Sequence, residues 1–157
     1  MTKFAANLSM LFTEVDFLDR FELAAKAGFQ AVEFLFPYAW PAEVIAERLA
    51  TNNLTLVLHN LPAGNWDAGE RGIACLPDRV DEFRAGVHKA LQYAQTLGVK
   101  QLNCLAGKAP PDVAPERLKQ TFIDNLRFAA QALNAAGLKL LIEPINTRNM
   151  PGYFLNF

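Results

Sequence analysis

Five short apolar runs alternate with four longer segments of helical periodicity along this chain of 157 residues. Each run has the length of a strand, and apolar residues in the longer segments recur every three or four positions. This alternation predicts a parallel sheet whose strands are joined by right-handed helical crossovers. The predicted strands cover residues 4–8, 31–36, 54–59, 100–107 and 138–146. The predicted helices cover residues 17–27, 41–50, 79–97 and 115–136.

Two closures of such a sheet fit the pattern. An open, doubly wound sheet of five strands would be complete at this length, whereas a (β/α)₈ barrel needs about 250 residues. Polar residues at the ends of four predicted strands favour the barrel, which gathers all strand ends around one mouth. They are Asn7, His59, Asn103 and Glu143.

Two further features favour a barrel that is present only in part. No glycine-rich phosphate loop follows the first run, so nucleotide-binding folds lack support. The tail with Phe154, Leu155 and Phe157 is apolar and reads as the approach to a further helix. We therefore predict one domain over residues 1–157, with four βα units plus a fifth strand of a truncated (β/α)₈ TIM barrel.

Glu143 is the main candidate for chemistry. It lies near the end of the fifth run, whose apolar composition predicts a strand buried on both faces. A buried carboxylate must be paired, bound to a metal or shifted in pKa. Ligands sit at this end of the strands in parallel α/β folds. A structural glutamate paired with a nearby Arg or Lys is the alternative that the residues leave open.

Composition excludes several classes of function. The chain has 15 Lys and Arg against 16 Asp and Glu, so it lacks the basic excess that nucleic-acid binding requires. No apolar run is long enough to cross a bilayer, and no signal peptide is expected. Cys75 and Cys104 lack metal-ligand spacing and are predicted to be inert thiols of a cytoplasmic protein.

A loop of unusual length, residues 61–78, separates the third strand from the third helix. It carries Trp66, Glu70 and Arg71. Loops of this length in compact domains are usually functional, and the aromatic and charged content predicts a lid over a ligand. The alternative is a surface excursion that packs Trp66 onto the body of the domain.

Several stretches resemble the hydroxypyruvate isomerases of the xylose-isomerase-like TIM-barrel superfamily. They include FAANLSMLF at 4–12, HNLPAG at 59–64, AGERGIAC at 68–75 and LIEPIN at 141–146, with shorter matches at 28–34. The resemblance covers nearly the whole chain. A sister group, the 2-oxo-tetronate isomerases, is similar over the first strand and fits less well across residues 59–78.

The resemblance implies an isomerase that interconverts hydroxypyruvate and 2-hydroxy-3-oxopropanoate (tartronate semialdehyde) through an enediolate. Such chemistry needs a carboxylate for proton transfer and a group that stabilises the oxyanion. Relatives use a divalent metal, Mg²⁺ or Mn²⁺, for the second task. Glu143 matches their fifth-strand acid/base and metal ligand, whereas their other ligands would lie beyond residue 157. We therefore expect no tight metal binding and little activity from this chain alone.

Four further residues are predicted to bind the small 2-oxo or hydroxy acid. His59 would polarise a carbonyl, although a core histidine is an equally open alternative. Arg71 with Glu70 would hold the substrate carboxylate, or the two would form a salt bridge that stabilises the loop. Asn7 would line the barrel mouth together with Glu33, although Glu33 could equally be paired within the barrel.

A different class of function is a non-catalytic half-barrel that associates with another chain. Open edges on the first and fifth strands would promote self-association. A DNA-repair enzyme of the endonuclease IV type is a third possibility that the sequence disfavours, because such a site needs many histidines and this chain has two.

Overall fold

The computed structural model describes residues 2–156, so the predicted contribution of Phe157 to the apolar tail lies outside the described residues. The strands are β1 (Ala6–Asn7), β2 (Ala31–Glu33), β3 (Thr55–Asn60), β4 (Gln101–Cys104) and β5 (Lys139–Ile142). The helices are α1 (Arg20–Lys26), α2 (Ala42–Thr51), α3 (Val80–Leu97) and α4 (Pro115–Ala135). Single 3₁₀ turns precede α1 and α3. The predicted alternation of strands and helices is confirmed.

The order of the strands decides between the two closures. Each strand pairs in parallel with the next one along the chain, in the order β1-β2-β3-β4-β5. Right-handed crossovers that always step in one direction place every helix on the same face, and successive helices contact each other. A doubly wound sheet reverses direction and carries helices on both faces. The sheet is therefore part of a (β/α)₈ barrel, as predicted.

The core lies between the sheet and its helices. On the helix-facing side, each of the first four strands contributes a side chain that is at most 4% exposed: Ala6, Val32, Leu56 and Leu102. Phe34 follows β2 and makes edge-on contacts with Phe17 and with Phe21 of α1. Burying these side chains supplies the main driving force for packing the helices onto the sheet.

The fifth strand differs from the prediction. We expected a strand buried on both faces, but Lys139 and Ile142 are exposed, Ile142 by 47%. Within residues 2–156, β5 has only β4 as a sheet neighbour, and no α-helix follows it to cover Ile142. Glu143 is likewise exposed, which corrects the expectation of a buried carboxylate.

The second half of the long loop is packed onto the body of the domain. Gly72 forms an isolated bridge with Ala106, and the backbone N–H of Cys75 donates to Ala106 O at 2.9 Å. Gly72 has φ +112°, and a Cβ there would lie 2.3 Å from Leu105 O. Only glycine permits this approach of two backbones. Ile73 and Cys75 are consequently part of the core.

No helix within residues 2–156 is both long enough and apolar enough to span a membrane.

Candidate functional site

A row of polar side chains follows the carboxyl ends of the strands on the face opposite the helices. We call Asn7, Glu33, Asn60, Asn103 and Glu143 the inner polar row. Side chains of register partners in parallel strands point to the same face, and the face alternates along each strand. The pairs Asn7–Glu33, Asn60–Asn103 and Asn103–Leu141 are register partners, and Glu143 lies two residues beyond Leu141. In a barrel this face lines the mouth.

Two hydrogen-bonded pairs occupy the row. Asn7 Nδ2 donates to Glu33 Oε1 at 3.0 Å, which places the predicted residue Asn7 on the inner face. Asn103 Nδ2 donates to Asn60 Oδ1 at 3.2 Å. Asn60 and Asn103 are 3% and 6% exposed, so both amides are held among neighbouring atoms.

A segment after β5 folds back over the end of β4, beside Glu143. Phe154 N donates to Gly107 O and Ala109 N donates to Gly152 O, both at 2.8 Å. Between these two hydrogen bonds, the hydroxyl of Tyr153 accepts from Ala106 N at 2.9 Å. Tyr153 is buried, with 1% of its surface exposed. Burial raises the pKa of Tyr153 to about 12, and the negative charge of Glu143 adds to the effect. Ile145 N also donates to Leu155 O at 3.0 Å, so the segment is tied to the chain that follows Glu143.

His59 lies on the other face of the sheet. Val32 pairs with Leu56 and Glu33 pairs with Leu58, so β3 carries one extra residue, a β-bulge, at this point. The bulge turns His59 to the helix-facing side, where its ring stacks on Phe34 and meets the edge of Tyr38. In this conformation its exposed fraction is zero. The structure therefore does not bring His59 to the mouth, where a substrate would bind.

The chemistry of His59 is that of a core histidine. Its Nδ1 lies 3.1 Å from Asn60 O, and Nε2 is buried with no hydrogen-bond partner among the described residues. Burial lowers its pKa to about 4, because the imidazolium would lose its hydration. The backbone contact with Asn60 opposes this shift without cancelling it. His59 is therefore neutral at neutral pH.

Glu70 and Arg71 are both engaged within the long loop. Glu70 Oε1 accepts from Arg79 Nη1 at 2.7 Å, and Glu70 Oε2 accepts from the backbone N–H of Asn65. Arg71 lies 4.0 Å above the ring of Trp66 and donates to Trp66 O at 2.9 Å. The salt bridge anticipated for this loop thus forms, with Arg79 rather than Arg71 as the cationic partner.

The loop borders a cavity that is separate from the inner polar row. This cavity has a volume of about 450 Å³ and lies between the loop, the chain after β2 and helix α3. Phe36, Tyr38, Trp66 and Lys89 contribute to its wall, and no member of the inner polar row does. The predicted role of the loop as a lid over a ligand stays a prediction.

Replacing Glu70 by Gln tests the structural role of this residue. The Glu70 and Arg79 side chains are 30% and 27% exposed, so their charge-assisted bonds are only partly screened. We expect E70Q to lower the free energy of unfolding by about 1 kcal/mol in urea denaturation. The matched control is E22Q, because Glu22 is 60% exposed in its pair with Lys26 and should change stability by less than about 0.5 kcal/mol. Equal effects of the two substitutions would contradict the prediction.

The described residues do not by themselves form a metal site. No group of three or more His, Cys, Asp or Glu side chains within residues 2–156 is placed to hold a metal ion. Mg²⁺ and Mn²⁺ require several oxygen ligands, and Glu143 supplies one carboxylate. The inner polar row instead offers neutral amides, which orient oxygen atoms of a ligand by hydrogen bonds.

Asn60 is the site residue that the sequence did not reveal. Strict alternation from Leu56 would place His59 on the inner face and Asn60 on the outer one. The bulge reverses that assignment, and a bulge depends on how the strands pair. Tyr153 was also missed, since only the fold brings it to the end of β4.

Three comparisons with known proteins agree on the architecture. The family model described as "Xylose isomerase-like TIM barrel" matches residues 21–157. A protein of Escherichia coli K12 named hydroxypyruvate isomerase is 54% identical over 155 residues, covering 99% of this chain and 60% of that protein. A 2-oxo-tetronate isomerase of Cupriavidus necator is 52% identical, with 99% and 60% coverage.

One solved structure matches almost as well in sequence and superposes closely. It is the crystal structure titled AP endonuclease, family 2, from Brucella melitensis, with a TM-score of 0.95 and 52% identity. The match covers 99% of this chain and 60% of that one. The chain thus spans about 60% of the length of the curated relatives and of this structure.

Proposed function

Because this chain belongs to the xylose isomerase-like TIM barrel family, we propose that it forms the first five strands of an isomerase of small 2-oxo acids. The favoured reaction is the interconversion of hydroxypyruvate and 2-hydroxy-3-oxopropanoate. The observation that carries the proposal is the exposed carboxylate of Glu143, which follows β5 on the same face as the amides of the inner polar row. The carboxylate and the amides supply a proton acceptor and hydrogen-bonding groups at one mouth.

The chemistry assigned to Glu143 is proton transfer between adjacent carbons. Its carboxylate takes a proton from C3 of hydroxypyruvate, and the electron pair of that C–H bond passes to the C2 carbonyl oxygen. The resulting enediolate carries its charge on oxygen, where hydrogen-bond donors stabilise it. Return of the proton to C2, with a proton shift from the C3 oxygen to the C2 oxygen, gives 2-hydroxy-3-oxopropanoate. Glu143 ends in its starting state, as an acid/base catalyst must.

In this proposal, a divalent cation would be held by Glu143 together with residues of further strands. Glu143 is the one residue of this chain that we assign to its ligands. The rest of the donor set is absent from residues 2–156, so no step above depends on the cation. We propose that this chain by itself does not retain Mg²⁺ or Mn²⁺ tightly.

The second candidate is isomerisation of 2-oxo-tetronate. The relative from Cupriavidus necator is 52% identical to this chain, nearly the value for the hydroxypyruvate isomerase of Escherichia coli. Both substrates undergo the same proton transfer, and the tetronate is longer by one hydroxylated carbon. The two substrates therefore differ in the space that they need beside the inner polar row.

The name of the Brucella melitensis structure raises a nuclease as another possibility, which the site does not favour. The net charge of −1 gives no basic excess to neutralise a phosphate backbone. His59 is buried on the helix-facing side, and His88 is exposed on α3, so neither histidine reaches the mouth. We further propose a cytoplasmic location, where the two buried thiols of Cys75 and Cys104 would stay reduced.

A chimera tests the proposed function. Residues 1–157 are joined to the part of the Escherichia coli hydroxypyruvate isomerase that follows its matched region, and both substrates are assayed with added Mg²⁺ or Mn²⁺. We expect the chimera to turn over hydroxypyruvate faster than 2-oxo-tetronate and the 157-residue chain to turn over neither. The Escherichia coli protein assayed in parallel is the control.

Each other outcome of the chimera experiment has a definite meaning. Faster turnover of 2-oxo-tetronate would establish the second candidate. A folded chimera that converts neither substrate would reject the isomerase proposal and favour a non-catalytic half-barrel that associates through the open edges of β1 and β5. Turnover by the 157-residue chain that E143Q abolishes would show that association of copies completes the site.

A further inference from the structure

The amides of Asn60 and Asn103 are more buried than the rest of the inner polar row, yet they are not saturated. Asn103 Nδ2 donates to Asn60 Oδ1, and no other hydrogen bond of either side chain occurs within the described residues. Asn60 Nδ2 and Asn103 Oδ1 are thus unpaired. Neither atom is sealed from solvent, because His59 Nε2 is the only buried side-chain nitrogen or oxygen without a partner in this part of the chain. Each amide therefore has one unused hydrogen-bonding atom that solvent can reach.

The backbone holds both residues rigidly in place. Asn60 N donates to Leu35 O at 2.9 Å, and Leu61 N donates to Asn103 O at 2.8 Å. The hydroxyl of Tyr38 donates to Asn60 O. A polar group that is held in place by its backbone, is little exposed and keeps unused hydrogen-bonding capacity is typical of a site prepared for a ligand.

The amide pair lies within reach of a small molecule at Glu143. Asn103 is the register partner of Leu141, and Glu143 lies two residues further along the same face. Ideal sheet spacing puts the Cα atoms of Asn103 and Glu143 about 8 Å apart. The side chains shorten that gap, so a three-carbon acid can contact the carboxylate and the amide pair together.

We infer that Asn60 and Asn103 bind the hydroxy-carbonyl part of the substrate, an inference that rests on the proposed isomerase function. The pair presents one N–H donor group and one oxygen acceptor side by side. If both amides are rotated by 180°, Asn103 offers the N–H donor group and Asn60 offers the oxygen acceptor. The pair still presents one donor group and one acceptor. A donor beside an acceptor matches a carbonyl oxygen next to a hydroxyl. A carboxylate or a phosphate matches less well, because its oxygens only accept and would face the amide oxygen.

The pair therefore gives the site its preference for 2-oxo acids with a hydroxyl on C3. Asn60 Nδ2 donates to the C2 oxygen, which accepts as a carbonyl, as an enediolate or as a hydroxyl. Asn103 Oδ1 accepts from the C3 hydroxyl of hydroxypyruvate. Pyruvate lacks that hydroxyl and would leave the acceptor unpaired, and such sites discriminate strongly against the analogue without the group.

The inference is tested by titrating the 157-residue chain, labelled with ¹⁵N, with hydroxypyruvate and with pyruvate. We expect the side-chain amide signals of Asn60 and Asn103 to shift with hydroxypyruvate and at least about tenfold less affinity for pyruvate. The exposed amide of Asn134 should not respond. Signals near Glu143 that shift without those of the two amides would overturn the inference, and so would the absence of any hydroxypyruvate binding.

Substitutions separate binding from folding. N60A and N103A should each weaken hydroxypyruvate binding about tenfold. N125A is the matched control, because Asn125 is 1% exposed and its amide donates to Ala74 O on the helix-facing side. Its removal should lower stability without changing affinity. Equal affinity of N60A, N103A and the unsubstituted chain would overturn the inference.

The chimera distinguishes failure of this inference from failure of the proposed function. N60A in the chimera should raise KM for hydroxypyruvate about tenfold. An unchanged KM with turnover that still requires Glu143 would reject the role of the amides and keep the isomerase. Amide signals that respond in a chain whose chimera is inactive would keep the binding site and reject the isomerase.

Discussion

The E143Q substitution in the chimera should lower kcat for hydroxypyruvate by about 10³-fold. Glutamine has the shape of glutamate but cannot accept the C3 proton, and positioned acid/base groups contribute about 10²–10⁴-fold to a rate. Glu143 is exposed and follows β5 on the inner face, so the substitution buries no unpaired group. We therefore expect the thermal unfolding midpoint to stay within about 2 °C of the unsubstituted chimera.

The control for this prediction is E47Q. Glu47 lies on the exposed side of α2, away from the mouth. The E47Q substitution removes the same charge as E143Q. Its kcat should match that of the unsubstituted chimera. Normal kcat in E143Q would exclude Glu143 from the mechanism, whatever the identity of the substrate. A rise in KM with unchanged kcat would instead assign Glu143 to binding alone.

The architecture was predictable because its determinants are local. Short apolar runs and amphipathic segments identify strands and helices from neighbouring residues. A glycine after a helix marks its end, as Gly98 does with φ +69° after α3. The observed helices begin and end within three residues of the predicted bounds. The parallel sheet then follows from the order of the elements.

The structure differs from the sequence-based expectations where strand pairing matters, because a linear sequence does not show pairing. One extra residue in β3 exchanges the faces of His59 and Asn60, because the side-chain period of a strand is two. The apolar composition of β5 suggested burial on both faces, but burial also needs a neighbour on each side, and β5 has one within residues 2–156. The ion pair of Glu70 likewise depends on the fold, because folding brings Arg79 next to Glu70.

The position of His59 predicts a stability that depends strongly on pH. Its pKa is about 4 in the folded chain, against 6.5 as its ordinary value in an unfolded one. Above pH 6.5 the imidazole of His59 is neutral in both the folded and the unfolded chain, so it does not change the free energy of unfolding. As the pH falls from 6.5 towards 4, the unfolded chain binds a proton that the folded chain resists, so stability declines. At 1.36 kcal/mol for each pH unit in this window, the expected loss is about 3 kcal/mol.

Urea denaturation between pH 7 and pH 4 measures this loss, and H59F identifies its source. Phenylalanine keeps a ring against Phe34 and Tyr38 but does not titrate, so the decline over this window should be largely absent. H88Q, which changes an exposed histidine of α3, should leave the decline in place. Arg79 lowers the pKa of Glu70 below its ordinary 4.5, so the stability that this carboxylate provides begins to be lost only near pH 4.5, at the lower end of the window. A decline of equal size in H59F would show that His59 is not its cause.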